Sequence, residues 1–195
     1  MRYAGSSSWL MRIGSPQGLL IGLFVRDAAG LHPRTVIDVP RLVPAVELRA
    51  DLAPLAVPEA SAQWARWWER ELARQGGREL RSFAPDAGFG DGREFGGLVR
   101  ECLRDAVRWC TDRSREETDA LTRGDPHPHE GDLVRLVEEE IGRKARPFEL
   151  QVTELPVEGS VGWRVSSDHV VVSRALRADP AAYRDWLTPV VRELA

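Results

Sequence analysis

From Phe95 to Cys110 apolar side chains return every three or four residues: Phe95, Leu98, Val99, Cys102, Leu103, Ala106, Val107 and Cys110. That interval places them on one face of a 3.6-residue helix and on neither face of a strand, so the stretch is constrained to an amphipathic helix with one buried side. Asp91 and Glu94 stand three residues apart where a capping box would start it. Leu103 falls in the middle of the stripe and is expected to be fully buried.

Two further helices follow from the same reasoning. Pro58 suits a first helical turn, and the segment it opens reaches Gly76-Gly77 with Trp64, Trp67, Trp68 and Leu72 on one stripe. Tryptophans at that spacing read as core. A third helix carries Leu133, Leu136, Val137 and Ile141 on one face and stops before Pro147.

On either side of this helical middle the period shortens. Runs rich in Val, Ile and Leu predict strands near 9–13, 19–26 and 45–49, the first two as a hairpin. Phe148 to Leu155, Trp163 to Ser166 and His169 to Ser173 predict three more, the last two joined by a tight turn at Ser167-Asp168. Asp179-Pro180 signals the cap and first turn of a final helix. Its face is Tyr183, Trp186, Leu187, Val190, Val191 and Leu194, with a kink expected at Pro189. Trp186 and Leu187 are expected to pack on the 148–173 strands.

Strands at both ends with helices between them predict an α+β protein. The expected sheet is antiparallel or mixed, built from N- and C-terminal strands and covered by about four helices. No internal repeat is present and no strict βαβ alternation, so a doubly wound parallel fold is not expected. At 195 residues one domain over 1–195 is the simpler expectation, with strands to residue 50, a helical middle over 58–146 and strands plus a helix over 147–195.

Composition narrows the function classes. Lys144 is the sole lysine among 27 basic residues, the bias of a GC-rich, bacterial genome, so arginine-rich stretches carry little functional weight by themselves. A net charge of −3 gives no general attraction to a phosphate backbone, and nucleic acid is not expected as a partner. Leu19 to Val25, broken by Gly22, is too short to span a bilayer, and no basic cluster or cleavage site makes it a signal peptide. Cys102 and Cys110 would stand about 12 Å apart along a helix, beyond disulfide reach, and read as buried thiols of a reducing, cytoplasmic setting.

Four constellations carry residue types suited to chemistry. Asp125-Pro126-His127-Pro128-His129-Glu130 gathers two imidazoles and two carboxylates. Its spacing matches no zinc pattern, and a helix cap explains it, so no metal or other cofactor is expected. Gly88-Phe89-Gly90-Asp91-Gly92 could admit a phosphate to a helix start, but Asp91 and Glu94 oppose an anion there. Ser166, Ser167, Asp168, His169 and Ser173 hold the residue types of a hydrolytic triad without its geometry. Arg66, Arg70 and Arg74 form an i, i+4 row away from the tryptophans. Interleaved with Glu69 and Glu71, it reads first as a solvated face, and it is the candidate binding set for an acidic partner or phosphate. His32, before Pro33, reads as a loop residue.

The leading expectation is a non-catalytic binding or regulatory module acting through contacts with a protein partner or as a homo-oligomer. The alternative is a small hydrolase or transferase with a site near the 76–93 loop, using His127, His129 or His169.

Overall fold

A computed structural model of the chain describes residues 2–5, 9–75, 92–122 and 130–195. The fold is α+β. The chain forms two compact units, one of Met1–Ser15 with Pro126–Ala195 and the other of Pro16–Asp125. The helical unit is thus inserted into the sequence of the sheet unit.

In the sheet unit, β1 (Arg2–Gly5) and β2 (Trp9–Gly14) precede the insertion. After it come α4 (Glu130–Ile141), β3 (Phe148–Leu155), β4 (Gly162–Arg164), β5 (His169–Ser173), α5 (Arg174–Ala178) and α6 (Pro180–Leu194). The strands lie in the order β1-β2-β3-β5-β4. The sheet is mixed: β1 with β2 and β4 with β5 are antiparallel, whereas β3 runs parallel to both β2 and β5. Only strands that follow one another directly are held antiparallel by a short turn, while β2 and β3 are joined across the whole inserted unit and are free of that constraint.

Register explains the core. Met11 stands beside Leu150, and Ile13 beside Val152, which stands beside Val170. The period-2 alternation then puts all five on one face, where they pack with Leu133, Val134 and Val137 of α4, Leu176 of α5, and Tyr183, Leu187, Val190 and Val191 of α6. Each such large apolar side chain contributes about 1.5–3 kcal/mol when fully buried. Trp186 is partly buried against the same cluster, as expected of it, and the final helix begins as expected, with the Asp179 side chain accepting from the Ala181 and Ala182 amides. Leu136, in contrast, points outward and Val134 takes its place in the α4 stripe.

The helical unit holds α1 (Gln17–Ala28), α2 (Pro58–Gln75) and α3 (Arg93–Thr122), with a 3-10 turn at Ala50–Leu52 between the first two. The strand expected over 19–26 is therefore a helix, and so is not the partner of residues 9–13 in a hairpin. A continuous apolar run fits a helix buried on all sides as well as a buried strand, and here every residue from Leu19 to Arg26 is buried. Gly30, at φ +62°, ends α1 in the left-handed conformation, with Leu31 N–H reaching back to the Arg26 carbonyl. The strand expected over 45–49 is irregular chain.

The tryptophan stripe of α2 is core, as its spacing indicated. Trp64 stacks on Trp68 at 5.2 Å between ring centroids, Trp67 meets Phe95 at 5.5 Å, and Trp64 Nε1 donates to the Gly22 carbonyl at 2.7 Å. On α3, Phe95, Leu98, Val99, Cys102, Ala106 and Cys110 are buried. Leu103 and Val107 flank that stripe and are only half-buried, which corrects the expectation for Leu103. Asp91 of the expected capping box lies outside the described residues. The Phe95 amide donates instead to Gln63 Oε1 at 3.0 Å, while the Gln63 amide nitrogen donates to Glu94.

Among the described residues no helix is long and apolar enough to cross a membrane.

Candidate functional site

Residues 31–57 join α1 to α2 with no regular structure beyond the one 3-10 turn. Irregular connections of this length inside a compact unit are uncommon, and where they are ordered they tend to carry function. This one is pinned at several points. The buried Arg26 guanidinium donates from Nε to Asp27 Oδ1 at 2.7 Å, from Nη1 to the Val39 carbonyl at 2.6 Å and from Nη2 to the Pro40 carbonyl at 2.7 Å. Asp27 Oδ2 accepts the Leu42 amide at 2.8 Å, and the Arg49 amide reaches the Ala28 carbonyl at 2.8 Å. Leu31, Val39, Leu42 and Leu52 are buried anchors.

Between those anchors the segment turns aliphatic side chains to solvent. Val36 is 91% exposed and Leu48 66%, followed by Val43, Leu55 and Val57. Among the described residues the sole other large hydrophobic exposed to this degree is Leu136, in the sheet unit. A single exposed aliphatic is ordinary, whereas five within one fixed stretch make it the candidate contact surface. Arg34, Asp38, Arg41 and Glu47, all exposed, are interleaved with them, and none of the four is in an ion pair among the described residues. The Val36 amide donates to Glu69 Oε1 at 3.4 Å, which ties the segment to the solvent-facing side of α2.

That side carries Arg66, Arg70 and Arg74, all exposed. Arg66 pairs with Glu59 at 2.9 Å and Arg74 with Glu71 at 3.6 Å, so acids of the same helix already engage part of the row. Beside the segment lies an open cavity of about 200 Å³ whose lining includes Arg26, Asp27, His32, Thr35, Asp38 and Arg41. It places charges of both signs together.

The other constellations lie elsewhere. Ser166 Oγ donates to Asp168 Oδ1 at 2.6 Å in the exposed turn between β4 and β5, while His169 is fully buried, with Nε2 at 2.9 Å from Thr153 Oγ1. Serine and aspartate are together and exposed, whereas the histidine ring is buried with Nε2 toward Thr153. Asp125, His127 and His129 fall outside the described residues, as does 76–91 of the glycine-rich connection. Glu130 is described and is engaged: Arg177 Nη2 donates to it at 2.8 Å, and Arg177 Nη1 donates to Glu154 at 3.0 Å. Arg174 Nε adds a contact to Glu154 at 3.2 Å. Among the described residues no three His, Cys, Asp or Glu side chains are grouped so as to hold a metal ion.

Electrostatics in this buried network balance. Burial by itself would lower the Arg177 pKa, but the charges of Glu154 and Glu130 outweigh it and hold the guanidinium above its ordinary value. Burial raises the Tyr183 hydroxyl, helped by the charge of Glu130. Burial also pushes Cys102 up to about 11 and Cys110 up to about 12, which keeps both thiols protonated at neutral pH.

Sequence reasoning missed both the aliphatic segment and this network. The first follows no period of 2 or 3.6. The second joins residues 23 and 47 positions apart, although Arg174 and Arg177 on one helical face and Glu154 in an otherwise apolar strand face were its available signals.

Compared with models of protein families, with curated proteins and with solved structures, the chain shows no match.

Proposed function

We propose that this chain is a non-catalytic binding or regulatory module of the cytoplasm that acts through protein contacts, with residues 34–57 as its contact surface. The observation that supports this reading is the concentration of exposed aliphatics at Val36, Val43, Leu48, Leu55 and Val57 on a segment pinned by Arg26 and Asp27. Leaving a fully exposed side chain of this kind in water forgoes about 1.5–3 kcal/mol, and a half-exposed one correspondingly less, which a partner that covers them recovers. Pre-fixing the segment lowers the ordering cost of binding. The exposed Arg66, Arg70 and Arg74 row beside it is a candidate for acidic groups at the rim. A hydrolase or transferase built on His169 has less support, because that side chain is fully buried with Nε2 toward Thr153 Oγ1, whereas Ser166 and Asp168 pair in an exposed turn.

A photo-reactive residue placed at position 36 tests this in living cells, with one at exposed Arg135 as control. The expected result is a discrete protein adduct from position 36 that disappears with Leu48→Asp and is absent from position 135. No adduct from position 36 overturns the reading.

A further inference from the structure

Resting on that reading, we infer that the occupant of the 34–57 surface is a second copy of this chain. The charge pattern carries the inference. Along the segment the exposed charges outside the Arg49–Asp51 pair alternate: Arg34 and Arg41 positive, Asp38 and Glu47 negative, with exposed Val36 and Val43 between them and exposed Leu48 next to Glu47. Two cations and two anions, none in an ion pair within the described chain, sum to zero. A partner of one charge sign would meet as much repulsion as attraction on this surface. A copy turned about a two-fold axis presents the same balanced set in reverse order, so each cation can face an anion while aliphatic side chains meet aliphatic side chains. The rigidity of the backbone, fixed through Arg26 to the Val39 and Pro40 carbonyls, keeps that pattern in place before association.

Sedimentation equilibrium of the purified full chain tests the inference. Expected is a species of twice the chain mass in equilibrium with monomer. Arg34→Glu with Arg41→Glu, which makes these four positions all acidic, and Asp38→Arg with Glu47→Arg, which makes them all basic, should each weaken self-association by about tenfold or more. An equimolar mixture of the two variants should regain the dimer. All four positions are exposed, and unchanged circular dichroism melts of both variants will show that the fold is intact. A wild-type chain that stays monomeric to its solubility limit overturns the second copy as occupant, as does a dimer indifferent to both variants or a mixture that fails to re-form one. The adduct from position 36 separates the two ideas: a cross-link to a different protein with a monomeric purified chain sinks this inference and leaves the contact surface standing, whereas no adduct sinks both.

Discussion

The ring of Trp67 rests on the bare backbone of Gly22, so closely that a methyl group added to that glycine would lie 2.1 Å from Trp67 Cζ3. Gly22 sits inside α1, where alanine would ordinarily stabilise a helix by about 1 kcal/mol. Here the indole is held by Phe95, Trp64 and Trp68 and cannot swing aside cheaply. Gly22→Ala is therefore expected to destabilise the helical unit by about 1–3 kcal/mol in denaturant melts, the cost of overpacking. In a Trp67→Leu background the same change should cost less. A stabilising Gly22→Ala in the wild-type chain would show that the ring moves.

The two leucines of α3 provide a comparison on one helix. Leu98 is fully buried and Leu103 half-buried. Leu98→Ala is expected to cost about 2–5 kcal/mol, and Leu103→Ala less than half of that. Equal losses would place Leu103 back in the core.

Arg177 offers a test of buried charge. Arg177→Met leaves Glu130 and Glu154 buried at side-chain exposures of 7% and 8%, with Arg174 the one other cation paired with the second among the described residues, and should cost about 3–5 kcal/mol. Neutralising the carboxylates as well, with Glu130→Gln and Glu154→Gln, should recover most of the loss. If the single and triple variants melt alike, the network is not what holds α4, α5 and β3 together.

The two thiols set an alkaline limit. Their folded pKa values, about 11 and about 12, lie above the ordinary value of 9.0, so the unfolded chain loses these protons first. The stability they confer is complete below pH 9 and is lost as pH climbs through 11 and 12, at up to about 1.4 kcal/mol per thiol per pH unit. A Cys102→Ala, Cys110→Ala chain, less stable at pH 7 for lost packing, should show a shallower decline between pH 8 and 10 than the wild type. Parallel declines would refute the assignment.

Removal of residues 179–195 takes Tyr183, Leu187, Val190 and Val191 out of the core shared with β3 and β5. An insoluble or unfolded sheet unit is expected. A truncated chain with an unchanged melting temperature would assign that helix to an interface.

How much of this was legible depended on distance along the chain. The α2 and α3 stripes and the Asp179-Pro180 start were readable because each is a local pattern with one physical solution. Leu19 to Val25 had two solutions, and contacts with α2 and α3, invisible locally, select the helix. The parallel pairing of Trp9 with Phe148 depends on residues far apart in sequence. The candidate surface was hidden for a different reason: its aliphatics are defined by what does not cover them, and no local rule reads that from Val36 or Leu48.

The insertion of the helical unit between neighbouring strands sets a timetable for synthesis. When β2 leaves the ribosome its partner β3 does not exist, and Trp9 must wait for Phe148. At about 5–20 residues per second that interval is roughly seven to thirty seconds. Throughout it Leu10, Met11 and Ile13 stand on an unfinished sheet edge with the β1 hairpin alone for company, the kind of edge that recruits foreign strands. The β1–β2 hairpin is therefore a stretch that a chaperone would protect, and the helical unit, a compact unit over Pro16–Asp125, can fold while the hairpin waits.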